Sequence, residues 1–329
     1  MTPTVTISVI VPVYNAEETI SSCLKSLFEQ SIPKTRYEII VVDDGSTDHT
    51  RDIVTGFDVH YMFQHNQGPA SARNQGAHAA SGELILFTDS DCIPSFNWIE
   101  EMIHPFDHSE ITGVKGAYRT IQKSVVARFA QMEFEDRYDL LQKRSYIDMV
   151  DTYSAAYRKH IFLSMGLFDQ RFTAANGEDM DFSCRLFAAG YRLVFNPNAI
   201  VFHKHADRIG AYLNTKFRRA YWRMSVYQKH PDRVMKDTYT PIVLKIETVL
   251  MMLSMMTLSL FWFSPTFTCL TFFIWSLILV LSVPFAIKTF RKDKWVGVIS
   301  PFIISLRSLV FAWGSGLGIL RTIISQSVK

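Results

Sequence analysis

Charge is scarce in this chain and is missing altogether from one long stretch. Asp, Glu, Lys and Arg make up 20% of the 329 residues, and none of them occurs from Thr248 to Ile287. Such a run excludes an ordinary soluble helix and is long enough for two membrane passes, divided at Ser264-Pro265. Cysteine is equally thin: Cys23, Cys92, Cys184 and Cys269 have no metal-ligand spacing, which excludes a zinc ribbon and fits a reducing compartment. No basic n-region precedes the apolar residues of Met1 to Val13, so this stretch does not have the make-up of a signal peptide. A cytoplasmic location is therefore expected for the large polar part. No P-loop or dinucleotide fingerprint is present, since Asn66-Gln67-Gly68-Pro69 matches neither, and kinase-like or NAD-dependent chemistry loses its support. There is no internal repeat and no low-complexity linker. A formal charge of only +3 gives no reason to expect a nucleic-acid partner.

What is there is unevenly placed. Helices are expected over about 242–263, 266–287 and 296–320. The third apolar stretch contains Arg307, and it suits both a span whose charge faces protein and a segment lying partly in the interface. Ahead of the first stretch, Arg208 to Lys236 mixes basic residues such as Arg218, Arg219 and Arg223 with Tyr212, Tyr221 and Trp222. That composition next to a membrane segment suits an anionic lipid surface or a phosphate-bearing lipid. Lys288, Arg291, Lys292 and Lys294 form a basic loop after the second stretch, which predicts a cytoplasmic loop and two crossings before it.

The first two hundred residues alternate buried-strand and helix patterns. Strands are expected over Val5–Val11, Tyr37–Val42, Val59–Phe63 and Leu84–Phe87, and helices near Ile20–Phe28, Thr47–Val54 and Pro69–Ala79. Asn15-Ala-Glu-Glu18 has the spacing of a capping box for the first helix. Further on, strands are expected over Ile111–Tyr118 and Thr152–Tyr157, helices over Val125–Leu141 and Asp179–Ala189, and an extended piece from Arg192 to Phe195. Repeated βαβ units predict an α/β fold, a mostly parallel sheet with helices on both faces, whose ligands gather beyond the carboxyl ends of the strands. Asp43, Asp44, Asp89 and Asp91 all fall at such ends.

Carboxylates concentrated there repel one another unless water or a cation neutralises them. Asp89-Ser90-Asp91 suits a hard divalent cation, while Asp43 and Asp44 are placed to accept hydrogen bonds from a polar ligand. A third acidic group, Glu178-Asp179-Met180-Asp181, opens a helix, where the dipole favours negative charge.

Five segments in order, VIVPVYNAEETI, EIIVVDDGSTDHT, NQGPASARNQGAHAASGELILFTDSD, GLFDQRF and GEDMDFSCRLFAAGY, make the chain resemble a family 2 glycosyltransferase with the GT-A nucleotide-diphospho-sugar transferase fold. The likeness covers roughly residues 5 to 205. It implies that Pro12 and Tyr14 line the nucleotide pocket, with Asp43 beside them and Asp44 reading the base. It further implies that Arg73 and Asn74 lie by the nucleotide and diphosphate, and that Asp89 and Asp91 engage the sugar nucleotide and a Mn²⁺ or Mg²⁺ ion. Glu178 and Asp179 correspond to the acceptor-side acidic pair, Asp179 being the expected base, because the acceptor hydroxyl loses a proton as it attacks C1. His203 in VFHKH matches a late histidine that approaches the metal or diphosphate, and His205 is the alternative.

The chain departs from processive polysaccharide synthases, whose Gln-x-x-Arg-Trp signature has no proper match in Arg218-Arg-Ala-Tyr-Trp-Arg223. The resemblance instead points to a membrane-associated transferase of bacterial exopolysaccharide or lipid-glycan type, in the inner or plasma membrane. The expected division is a catalytic domain over 1–206, a basic juxtamembrane segment over 207–240 and a membrane domain over 241–329. The expected reaction is inverting transfer from a nucleotide sugar, UDP-sugars favoured, to a polyprenyl-diphosphate-linked glycan. Transfer directly to polyprenyl phosphate or another membrane lipid is the nearest alternative, and a non-catalytic scaffold of an envelope-assembly complex is the alternative from another class.

Overall fold

The computed structural model describes residues 6–172, 177–236 and 238–327. Its contacts gather the chain into two compact units, one of Met1–Ile121 with Tyr138–Lys204 and one of Gln122–Arg137 with His205–Lys329.

The first unit is an α/β domain. Strand β1 (Ile7–Val13) is buried along its whole length. Helix α1 (Ile20–Phe28) follows, then β2 (Tyr37–Asp43), α2 (Thr50–Thr55), β3 (His60–Phe63), α3 (Pro69–Ala79) and β4 (Leu84–Thr88). These four strands are parallel, with β1 between β2 and β4, and their apolar runs do not alternate because both faces are covered. The expected first strand begins at Ile7 among the described residues, and Val5 lies outside them. Next come β5 (Cys92–Pro94), α4 (Trp98–Ile103), β6 (Ile111–Arg119), α5 (Val125–Leu141), β7 (Ser154–Arg158), α6 (Lys159–Ser164), α7 (Glu178–Ala188) and β8 (Arg192–His203). Helix α5 passes out of this unit and back, since its residues up to Arg137 belong to the second one.

One eight-stranded sheet results, in the order β3-β2-β1-β4-β7-β6-β8-β5. It is mixed: β7 runs antiparallel to β4 and β6, and β5 antiparallel to β8, while the other strands share one direction. Helix α3 lies close on the sheet because Gly76 has no side chain, and a Cβ there would stand 2.5 Å from Cγ2 of Ile10. The sequence places the end of the last extended piece before Asn196-Pro197, yet β8 continues to His203. A register shift absorbs the turn residues, so that Lys115 pairs with Phe195 and Ala117 already with Ile200. Beyond the shift, β8 pairs with β5, a short strand that its sequence does not announce.

The second unit is helical. Helices α8 (Ile209–Lys229) and α9 (Arg233–Lys236) precede α10 (Ile242–Ser259), α11 (Pro265–Lys292) and α12 (Lys294–Ser327). The last three are long and apolar enough to cross a membrane, which supports membrane association. Helix α11 starts at Pro265, with the Ser264 hydroxyl accepting the Thr266 N–H as an N-cap. Helices α8 and α12 approach closely through glycine. A Cβ on Gly314 would lie 2.6 Å from the Phe217 carbonyl, and one on Gly318 2.6 Å from that of Tyr221. Arg321 of α12 stacks over the Trp222 ring, 4.4 Å from its centroid.

Charge inside this unit is paired. Glu133 on α5 accepts from Lys216 at 2.7 Å, Arg307 at 2.7 Å and the Tyr212 hydroxyl at 2.8 Å, and Arg307 also donates to Glu247. Burial opposes the Glu133 charge, but the three cations Lys216, Arg307 and Arg137 hold its carboxyl far below the usual range. Arg307 thus faces protein, the arrangement that the apolar sequence around it requires.

Candidate active site

The loops after β1 and β2 are stitched together at the carboxyl edge of the sheet. Asn15, whose φ of 47° is left-handed, accepts the Thr47 N–H through Oδ1 and donates its own N–H to Ser46. The expected capping box does not form: α1 begins at Ile20, and Thr19 at its N-cap makes no side-chain cap bond. The Asn15 side chain is committed across the cleft instead. Pro12 is buried within β1 opposite Val42, and Tyr14 just beyond the strand is 52% exposed.

Asp43 ends β2, Asp44 follows it, and the two have separate partners. Asp43 accepts the Ser46 N–H at 2.8 Å and the Tyr61 hydroxyl at 2.9 Å. Asp44 is buried, with Oδ1 taking the Gln64 amide and the Gln67 N–H at 2.8 Å and Oδ2 taking the Gly68 N–H at 2.8 Å. Gly68, at φ 90°, is the N-cap of α3. Asp44 therefore holds the segment Gln64 to Gly68 and fixes where α3 begins. These partners, Tyr61 and the Gln64–Gly68 segment, were not singled out by sequence. The only local signal was the glycine-proline turn of Asn66-Gln67-Gly68-Pro69.

Helix α3 carries Arg73 and Asn74 inward. The Asn74 amide is bonded on both atoms to the Phe168 backbone, at 2.8 and 3.0 Å, which ties α3 to the Gly166–Phe172 segment. The Arg73 guanidinium, 2% exposed, donates to Asp89 Oδ1 at 2.7 Å and to Glu178 Oε1 at 3.0 Å. One buried cation thus links carboxylates that lie far apart in the chain. Its Nε and Glu178 Oε2 have no hydrogen-bond partner among the described residues.

The charge here does not balance. Burial and the neighbouring Asp179 push Glu178 up to about 8 in spite of Arg73, because Arg73 shares its single charge with Asp89. Asp179 is half-buried at the start of α7, and one of its oxygens accepts the Met180 N–H at 2.7 Å.

The other end of the cluster is Asp91. The register of β5 against β8 sets Cys92 opposite His203, which brings His203 Nε2 to 3.3 Å from Asp91 Oδ2. The Tyr118 ring packs against the imidazole at 4.5 Å between centroids, tilted by 34°. Burial raises the Asp91 carboxyl, but the hydrogen bond and charge of His203 together with hydrogen bonds from Cys92 and the backbone outweigh this and keep it below its ordinary value. His205 lies in the second unit, bonded to Gln131 at 3.0 Å. Asp89, Asp91 and Cys92 present atoms within 4.8 Å of one another. Burial pushes the Cys92 thiol well up, so it stays protonated and is a poor ligand. The donors left are carboxylate oxygens and an imidazole, a set that fits Mn²⁺ or Mg²⁺.

Known proteins resemble this chain in sequence and in fold. The sequence profile of glycosyl transferase family 2 matches residues 8–165. Glycosyltransferase AglE of Haloferax volcanii is 30% identical over 221 residues, 64% of this chain and 71% of that one. A dolichyl N-acetyl-alpha-D-glucosaminyl phosphate 3-beta-D-2,3-diacetamido-2,3-dideoxy-beta-D-glucuronosyltransferase of Methanococcus voltae is 26% identical over 211 residues, 59% of this chain and 65% of that one. Among solved structures, the mannosyltransferase PcManGT of Pyrobaculum calidifontis, in complex with GDP-Man and Mn²⁺, superposes with a TM-score of 0.63. The match covers 95% of this chain and 86% of that one at 18% identity, a likeness of fold.

Proposed function

The chain belongs to glycosyl transferase family 2, and from that premise we propose that it transfers a sugar, with inversion, from a nucleotide-diphospho-sugar to a polyprenyl-diphosphate-linked glycan. One observation carries the reading: Arg73 joins Asp89 to Glu178 while His203 reaches Asp91, so acids from the turn between β4 and β5 and from the start of α7 converge at the carboxyl edge of the sheet. A glycan acceptor on a lipid is supported by the three membrane-length helices and by the name of the Methanococcus voltae relative, which specifies a dolichyl phosphate-linked sugar. Lys288 to Lys294 form no loop, since α11 runs to Lys292 and α12 starts at Lys294, but these basic residues at the junction support a cytoplasmic catalytic unit in the inner or plasma membrane.

Asp179 is the base. The acceptor hydroxyl gives its proton to the Asp179 carboxylate as its oxygen bonds to C1, and the bond from C1 to the diphosphate oxygen breaks on the opposite face. Glu178 is unsuited to that role, being 1% exposed and still protonated at neutral pH. It holds Arg73 in place instead. Asp89, Asp91 and His203 are the residues that would hold Mn²⁺ or Mg²⁺, which when bound supplies charge stabilisation to the departing diphosphate. Asp44 shapes the base pocket through the Gln64–Gly68 segment, and the preference for UDP-sugars rests on its match to the family motif.

Purified full-length protein incubated with a panel of nucleotide sugars and Mn²⁺ tests this. One donor should bind in a metal-dependent way and hydrolyse slowly, and Asp91→Asn should remove the metal dependence. No binding across the panel by folded protein would sink the transferase reading and favour the scaffold.

A further inference from the structure

The helical unit contains two cavities of opposite character. One, of about 210 Å³, is lined by Glu133, Asp136 and Glu247 and equally by Arg137, Lys288 and Arg307, so its charges answer one another. The other, of about 500 Å³, lies among single stripes of three helices: Arg223 and Tyr227 on α8, Val249 and Met252 on α10, Phe311 and Ile319 on α12. Each stripe repeats at three, four or eight residues, one helix face apiece. Its lining includes the cations Arg223 and Lys245 and, among the described residues, no carboxylate. The half-buried Arg223 donates to the Thr240 hydroxyl at 3.0 Å. No described carboxylate lies within ion-pair distance of it.

We propose that this groove holds an anionic phospholipid of the surrounding bilayer, its phosphodiester on Arg223 and Thr240 and one acyl chain along the apolar stripes. A guanidinium on an apolar wall matches a phosphate through paired N–H donors, and the phosphate brings the negative charge that answers Arg223. Helices α10 and α12, which form two of the walls, are long and apolar enough to lie in the bilayer, so hydrocarbon is available to the groove. The polar lining is small: the Arg223 guanidinium, the Lys245 ammonium, the Gln228 amide and a few hydroxyls suit the phosphodiester of an anionic lipid. The site is independent of the transferase reading, and nothing in it requires catalysis.

Native mass spectrometry of the full-length protein, titrated with phosphatidylglycerol, phosphatidylcholine and a polyprenyl monophosphate, tests it. Phosphatidylglycerol should be retained about tenfold better than phosphatidylcholine, the size of one charge-assisted contact. Arg223→Gln should bring that ratio close to one, while Arg218→Gln, at an exposed position on the same helix, should leave it unchanged. Met252→Trp, which fills the groove without altering charge, should lower retention of both phospholipids and keeps the test decisive if Arg223→Gln does not fold. Equal retention of the two phospholipids, or equal losses in the Arg218 and Arg223 variants, would overturn the proposal in favour of diffuse surface attraction. Displacement of phosphatidylglycerol by the polyprenyl monophosphate at equal concentration would overturn it in favour of an acceptor-type lipid. Unchanged retention by Met252→Trp would overturn the groove itself.

Discussion

Two of the buried charge clusters among the described residues are built to different balances. In the catalytic unit a single guanidinium, Arg73, contacts Asp89 and Glu178 with Asp179 alongside, so acid exceeds base. In the helical unit Glu133 and Glu247 meet Lys216 and Arg307, with Arg137 near Glu133 and the Tyr212 hydroxyl completing the set, so neither acid lacks a cation. A balanced buried cluster is finished and serves structure; an unbalanced one is poised for a ligand that brings the missing charge. The cost of imbalance is visible in Glu178, which keeps its proton, whereas Glu133 is held charged by its neighbours.

Substitutions sharpen the contrast. The largest effect is expected where the acidic cluster does chemistry: Asp179→Asn should lower transfer by about 10²- to 10⁴-fold, the usual contribution of a positioned base. Donor affinity should be nearly unchanged, and undiminished transfer would remove Asp179 as the base. Next, Glu133→Gln should destabilise the helical unit by about 3 kcal/mol, because Lys216 and Arg307 stay buried with less charge to answer them. Glu178→Gln, which merely fixes the neutral state already favoured, should cost far less. Thermal unfolding of the two variants in the same detergent compares them directly, and equal losses would break the distinction between the clusters.

The smallest effect is one of pH. Folded Glu178 keeps its proton up to about 8, while the unfolded chain releases it near the ordinary 4.5. Between these values folding takes up a proton, so the contribution of Glu178 to stability falls as pH rises through that window. The melting temperature should drop from pH 6 to pH 8.5 in the parent and drop less in Glu178→Gln. Identical slopes would show that Glu178 is already ionised.

Much of this was legible in the sequence because short-range chemistry dictated it. Apolar runs such as Ile39 to Val42 read as strands covered on both faces, and Ser264-Pro265 caps the start of α11. The Asp89-Ser90-Asp91 pair marked itself by standing at a strand end. Other features had no local signature. Strand β5 is three residues long and is defined only by its pairing with β8. The Asn15 turn resembled a cap, because spacing is silent about a partner as distant as Thr47.

The sequence by itself determined the α/β class, the acids at the strand ends and the apolar helices, because each follows from the composition of a single segment. Tertiary structure decided which of those acids act together. Arg73 meets Glu178 across 105 positions of sequence, and His203 faces Asp91 only after the bulged β8 brings it opposite Cys92. It also decided that Arg307 would be neutralised inside the helical unit by Glu133 and Glu247. Burial sets the strength of each of these pairings, and burial belongs to the assembled fold.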